Sequence, residues 1–253
     1  MMIKYLLSVF IIYSSVIFAD KELIYLYTYH NHPPFINGEN KGLTFELERF
    51  LNNYVDSRYQ FKLQILPRKR LDKKIEKNGP WVVTWANPIW FNDKKQLKYR
   101  WLSILEDSSS IVSRLEKPVE YRGFQSLQGL TFGGMAGHKY IGIDNLVDQG
   151  KITRIDGDHE RNNVKVLLKG RVDFTLLPTS TINYLVKEMS LKEKIYVSPE
   201  KHSIYYRMFL ISKSRKDIEE YLRRIAINNN NEWLKIAREY GFSENQGAIS
   251  YKQ

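Results

Sequence analysis

The 253-residue chain contains no cysteine. That absence excludes disulfides, zinc–thiolate sites and thiol catalysis, and with them the cysteine-linked lipid anchor of bacterial lipoproteins. No long polar tract interrupts the sequence. A composition of 43% hydrophobic and 26% charged residues is that of a folded globular protein, not a disordered one. Beyond the N-terminus nothing resembles a transmembrane span. There is no internal repeat at solenoid spacing and no Gly-x-Ser-x-Gly nucleophile turn. Acidic residues are in deficit, 28 Asp plus Glu against 39 Lys plus Arg, a formal charge of +11. Such a field attracts anions, but the basic residues are dispersed, not gathered into an arm. This favours a solvated cationic surface or an anionic solute over nucleic acid.

What is present begins with the segment MMIKYLLSVFIIYSSVIFAD. Lys4, an apolar stretch from Tyr5 to Phe18 and the small Ala19 reproduce the three regions of a secretory signal peptide. The stretch falls short of the roughly 20 residues that span a bilayer. Residues 1–19 are therefore expected to be a cleaved leader, with an uncleaved signal anchor as the alternative. An exported chain without a lipid anchor is retained most simply by a second membrane, so the expected location is the periplasm of a Gram-negative bacterium.

The remaining length suffices for one large or two modest domains. ELIYLYTY (Glu22–Tyr29) reads as a strand, and LTFELERFLNNYV as a helix with Thr44 as N-cap and Phe45, Leu47, Phe50, Leu51 and Val55 as its apolar stripe. YQFKLQIL alternates as Tyr59, Phe61, Leu63, Ile65, a strand ended by Pro67. RKRLDKKIEKNG is a short basic helix and WVVTWA a third strand, so the order is β-α-β-α-β. After YRWLSILEDSSSIVSR the pattern restarts: LTFGGM as strand, HKYIGIDNLVDQG as helix, ITRID as strand, ERNNVKVLLKG as helix, VDFTLLP as strand, STINYLVKEMS as helix and KIYVS as strand. SIYYRMFLISKS (Ser203–Ser214) reads as a long strand, and two amphipathic helices joined by a turn at Asn228–Asn231 close the chain. The expected fold is α/β, two lobes with a ligand cleft between them: 20–109 and 203–253 in the first, 110–202 in the second. Sites in such sheets lie at the carboxyl ends of strands.

PPF in the first loop, KGLTFELERFL after it, LQGLTFGGMAGHKY, LLKGRVDFTLLPTSTINYL and the return strand YYRMFLISKS occur in an order that resembles the type II periplasmic solute-binding proteins of family 3. The best-known members bind amino acids for ABC transporters. The resemblance covers nearly all of the mature chain. It implies that Phe35 packs on the solute and that the backbone of Ala136 and Gly137 meets its acidic group, as free N–H groups at a helix start would. Two departures stand beside the matches. Amino-acid binders carry Thr-x-x-Arg after the third strand, the arginine forking onto the carboxylate. Here the stretch is NDKK, Asn92 to Lys95, and a lysine loses the two-pronged geometry. The acid that holds the amine in the second lobe is replaced by Pro178, followed by Thr179 and Ser180.

WVVTWANPIWFNDKKQ adds Trp85, Trp90 and Asn87 at the exit of the third strand. Indole faces suit planar, sugar-like or cationic solutes, and an amide orients them. Either tryptophan is as readily a core residue. Arg68 and Arg70 follow the second strand, where they reach the cleft or form a solvated helix face; Lys94 adjoins Lys95. His30-x-His32 invites a metal, but zinc wants three or four ligands, and the loop offers no carboxylate before Glu39. The prolines between His32 and Phe35 better explain the loop as a stiff rim aiming one ring. A periplasmic dehydratase shares the fold, but the paired carboxylate or histidine that acid–base chemistry needs does not stand out. The expectation is a monomeric, non-enzymatic solute-binding protein without cofactor or metal, its solute polar and anionic or amino-acid-like. Its site would comprise Phe35, Arg70, Trp85, Asn87, Trp90, Lys95, Ala136, Gly137 and Thr179. Its partner would be an inner-membrane ABC permease, with enzyme and receptor-coupled sensor as alternatives.

Overall fold

The computed structural model describes residues 20–54 and 58–243; the leader expected at 1–19, and Val55 of the expected helical stripe, lie outside them. Strand β1 (Glu22–Thr28) is followed by α1 (Leu43–Asn52), β2 (Tyr59–Ile65), α2 (Arg68–Ile75) and β3 (Trp81–Ala86). After a 3-10 turn at Pro88–Phe91 comes the long β4 (Arg100–Arg114). The second series is β5 (Thr131–Met135), α3 (Ile143–Asp148), β6 (Thr153–Gly157), α4 (Glu160–Leu168), β7 (Phe174–Pro178) and α5 (Thr179–Glu188). Strand β8 (Ile195–Ile211), α6 (Lys216–Asn228) and α7 (Asn230–Glu239) complete the chain.

The strands run in the order β2-β1-β3-β8-β4-β7-β5-β6. β1 pairs parallel with β2 and β3, and β5 parallel with β6 and β7. β4 and β8 are antiparallel to each other and extend through both groups, with register shifts at Ser103/Leu105, Ser109/Ser110 and Ser110/Val112. Buried side chains separate the same way. Two clusters draw on residues from Ile24 to Leu105 and from Met208 to Phe242, two others on residues from Ile111 to Ile195. Each half thus has its own apolar interior, and the backbone crosses twice, on β4 and on β8.

Local chemistry explains where the elements differ from the sequence pattern. Helix α1 buries Leu43, Leu47 and Leu51 at four-residue spacing, but its N-cap is Gly42, and Thr44 sits inside the helix. The Thr44 hydroxyl instead accepts the indole N–H of Trp85 at 2.9 Å. Gly42 has φ +121°, and a Cβ there would run into the carbonyl of Phe35, so the tight entry to α1 requires glycine. The helix expected over HKYIGIDNLVDQG is confined to Ile143–Asp148. Gly142 at φ +79° breaks it, and the loop before it is held by Tyr140 N–H on Asp144 Oδ2 and by Met135 N–H on the Tyr140 hydroxyl. The strands expected separately at KIYVS and SIYYRMFLISKS are one, β8. The four asparagines form little of a turn: Asn228 ends α6, Asn230 begins α7, and one residue links them.

Candidate functional site

Where β4 and β8 cross between the halves, Leu105 lies opposite Arg207 and Asp107 opposite Tyr205. Strand periodicity puts Asp107, Tyr205 and Arg207 on one face, as cross-strand and diagonal neighbours. Arg207 is 1% exposed and Asp107 wholly buried, and Arg207 Nε donates to Asp107 Oδ2 at 2.8 Å. Asp107 is fully engaged. Oδ2 also accepts the Ser180 hydroxyl at 2.7 Å, and Oδ1 accepts the N–H groups of Ser108 at 2.9 Å and Ser180 at 3.2 Å.

The guanidinium is not. Its Nη2 reaches the Tyr205 hydroxyl at 3.3 Å, and Nη1 has no hydrogen-bond partner. Around it are rings: the guanidinium carbon is 4.4 Å from the centre of Phe35, 5.4 Å from Tyr205 and 6.0 Å from Trp90. Removing a charge from water is costly unless its donors are paired, so an unpartnered N–H on a buried arginine is the most unusual polar feature of this region.

The first loop forms the facing wall. His30 Nε2 contacts the Trp85 carbonyl at 3.1 Å, and its Nδ1 lies 3.3 Å from His32 Nε2. His32 Nδ1 contacts the Pro33 carbonyl at 2.9 Å and stands 3.7 Å from Glu160 Oε1, the first residue of α4 in the other half. The Thr181 hydroxyl, on α5, donates to the Pro33 carbonyl at 2.9 Å, and Asn183 Nδ2 donates to the Gly241 carbonyl at 2.8 Å. These contacts join the two halves across the cluster. Burial, then the nearby Arg207 and His32 charges, hold His30 well below the ordinary histidine range. Burial lowers His32 too, against the pull of Glu160. Tyr29 is pushed up to about 12 by burial, partly offset by Arg68 and Arg207, and Tyr205 is raised by burial and by Asp107. At neutral pH both phenols are protonated and able to donate.

Of the residues expected from sequence, Phe35, Trp90 and Thr179 come together here. Phe35 is fully buried beneath Arg207. Trp90, half-buried, packs on Tyr205 with ring centres 5.3 Å apart and on His30 at 6.0 Å. The Thr179 hydroxyl lies 2.7 Å from that of Ser108. Trp85 occupies the core, between Phe35 and Trp233. Asn87 caps the 3-10 turn, accepting Ile89 N–H and donating to the Tyr206 carbonyl. Arg70 and Lys95 are exposed, Lys95 on an open surface with Lys94 and Lys98. Ala136 and Gly137 are also exposed; the Ala136 N–H donates to the Gly157 carbonyl, and the next helix after them begins only at Ile143. Arg68 stacks on Phe91 at 4.0 Å and donates to the Trp90 carbonyl.

Sequence reasoning did not single out Asp107, Glu160, Tyr205 or Arg207. A signal existed for two of them. A charge between Tyr206 and the apolar Met208–Ile211 run, and an acid in the middle of ILEDSSSIV, are costly in strand interiors unless they meet. Among the described residues no group of three or more histidine, aspartate or glutamate side chains could hold a metal ion, and no helix is long and apolar enough to cross a membrane.

No protein-family model matches the sequence, and no curated protein matches it. Solved structures do match in fold. The chain is similar to one from work on glutathione import via GshT and the cystine ABC importer of Streptococcus mutans: TM-score 0.66, 13% identity, 92% of this chain and 98% of that one covered. An ancestral arginine-binding protein bound to arginine gives TM-score 0.65 at 14% identity, over 87% of this chain and 98% of that one. The periplasmic domain of Bordetella pertussis BvgS gives 0.66 at 15% identity, over 87% of this chain and 43% of that one. The fold is therefore that of the two-lobed periplasmic-binding proteins, with the Arg207 cluster at the junction of the lobes.

Proposed function

We propose that this is an exported solute-binding protein that captures one small polar, charged solute between its lobes and presents the closed form to a membrane partner, an inner-membrane ABC permease. The observation that carries this reading is the composition of the lobe junction. The contacts that bridge it are polar, from the first loop to α4 and α5, and beneath them lies a cluster of arginine, histidine and aromatic groups with an unsatisfied donor. Two lobes that served only for stability would bury apolar surface there. A ligand site has aromatic walls with a few convergent polar groups.

Phe35, Trp90, Tyr205 and Thr179 form the walls in this reading, and the strands β4 and β8 are the hinge, through which solute binding shifts the lobes from open to closed. The lobes divide at 109/110 and 202/203. The leader directs the chain to the periplasm, where it acts as a monomer, without cofactor or metal and without a catalytic role. A second reading differs only in the partner: the closed form docks on a separate receptor instead of a permease. The solute-binding step is common to both. Thermal-shift screening of the purified mature chain against amino acids, oligopeptides, sugar acids and polyamines tests it. At least one compound should raise the melting temperature saturably; a panel without any such compound contradicts the reading.

A further inference from the structure

The loop between β3 and β4 presents a surface that the lobe junction does not use. Ile89 is 54% exposed and Leu97 69%, and the two line one open recess with Asn92, Lys94, Lys95 and Lys98. Single exposed apolar side chains are ordinary on a soluble protein; two of them set among lysines on a pinned loop call for a cause. Asp93 does the pinning. Its N–H donates to the Pro88 carbonyl, its own carbonyl accepts Gln96 N–H, and its carboxylate holds the backbone of Leu97, Lys98 and Tyr99 and the indole of Trp101. Asn92 and Gln96 complete the turns in the left-handed region, at φ +52° and +56°. The only acid between Asn87 and Tyr99 is therefore buried and turned inward. Outside it, Lys94, Lys95 and Lys98 join no ion pair among the described residues. Helix α2 packs beside the loop, Arg68 donating to the Trp90 carbonyl and stacking on Phe91. Its exposed Lys69 and Arg70 strengthen the positive field, while Asp72 is taken up by Arg68, leaving Glu76 as the other acid of α2.

The chemistry of this surface selects its occupant. Protein interfaces are depleted in lysine and bury about 800 Å² on each side around an aromatic or apolar centre, which two aliphatic tips do not supply. A hydrated ammonium group on a flexible stem suits diffuse negative charge that rearranges to meet it. Apolar tips flanked by lysines match the boundary of a bilayer, where the tips enter the headgroup layer and the ammonium groups stay level with the phosphates. We propose that the Ile89–Lys98 loop is a reversible docking element for an anionic phospholipid bilayer, with Ile89 and Leu97 in the headgroup layer and Lys94, Lys95 and Lys98 on lipid phosphates. Each lysine near such a surface is worth about fivefold in affinity, and the pinned loop loses little conformational freedom on contact. The chain has no cysteine to carry a lipid anchor, so this loop supplies a weak, salt-sensitive attachment in its place.

Sedimentation of the mature protein with lipid vesicles tests the proposal. It should bind vesicles of phosphatidylcholine and phosphatidylglycerol in equal parts, not phosphatidylcholine alone, and should be released as salt rises from about 0.05 M to about 0.5 M. Lys94→Gln, Lys95→Gln and Lys98→Gln together should weaken binding about a hundredfold. A control triple, Lys151→Gln, Lys165→Gln and Lys192→Gln, removes the same charge from exposed positions of the other half and should weaken it less than about threefold; an equal loss would show attraction by net charge alone and overturn the assignment. Ile89→Ser with Leu97→Ser should weaken binding about tenfold at an unchanged melting temperature. Because the chain is free of cysteine, Leu97→Cys takes a single polarity-sensitive dye. Its emission should shift to the blue on the anionic vesicles, and that of a dye on Ile141→Cys, a position 70% exposed in the other half, should not. No shift at Leu97, or equal shifts at both, overturns the proposal. So does failure to bind lipid vesicles, including the case in which native membranes capture the protein and lose that capacity on proteolysis, which would assign the surface to a protein partner. Solute binding between the lobes stands or falls separately, by its own thermal-shift screen.

Discussion

The two tryptophans near the end of β3, Trp85 and Trp90, show how side chains of one type take opposite roles. Trp85 is fully buried between Phe35 and Trp233, with its N–H on Thr44. Trp85→Ala should cost about 3–5 kcal/mol in chemical denaturation, the range for large aromatic truncations in a core. Trp90→Ala, at the edge of the cluster, should leave the protein folded and weaken solute binding about tenfold, as loss of an aromatic anchor does; unchanged affinity in a titration removes Trp90 from the site. The sequence could not separate the two indoles, because Trp85 ends the strand that Trp90 follows, and the positive φ of Trp85, at a register shift between Val83 and Ala86, is not visible in the residue pattern. Nor could it pair Asp107 with Arg207, which lie 100 residues apart. The histidines carry a pH signature. Their pKa values are depressed in the folded state, so the unfolded chain takes up protons below its ordinary histidine value of about 6.5 while the folded one resists. Stability should be full above that value and fall as the pH drops from 7 towards 5. His30→Gln should flatten the dependence of melting temperature on pH; an unchanged slope would assign it to other groups.

At the scale of elements, the connection from β3 to β4 shows how one acid organises a segment. Asp93 accepts N–H groups from Leu97, Lys98 and Tyr99 and the indole N–H of Trp101, all within 3.1 Å. Burial acts to raise its pKa, but these donors outweigh it and hold it below the usual carboxylate value. Its contribution is therefore present above about pH 4 and lost as the pH falls through its folded-state value. Asp93→Ala strands four donors and should cost about 2–4 kcal/mol, read as a lower denaturant midpoint. Strand and helix order were legible because buried faces kept their periods: Leu43, Leu47, Leu51 on α1 and Tyr59, Phe61 on β2. The errors arose where side chains replaced periodicity, at Thr44, at Tyr140 and Asp144, and along β8, where exposed residues at Glu200 and Ile204 masked a continuous strand.

For the whole molecule, the opening proposed above would break polar contacts such as Thr181 on the Pro33 carbonyl and Asn183 on the Gly241 carbonyl, and would leave the four apolar clusters of the described residues, each within one half, intact. Thr181→Val removes one such contact, to the Pro33 carbonyl. It should weaken solute binding severalfold at little cost in stability, measured by titration beside a denaturation curve; equal affinity would show that this bridge does not count in closure. The two-lobe plan was readable from the repeated β-α-β pattern; of the junction cluster, Phe35, Trp90 and Thr179 were named from the sequence, whereas Asp107, Tyr205 and Arg207 were not, because they lie on two strands that meet only in the fold. The central claim is that a solute is enclosed between the lobes, and small-angle X-ray scattering of the mature chain with and without a saturating, thermally stabilising compound tests it most directly. The account predicts a smaller radius of gyration in the bound state, and the same radius in both states would contradict it.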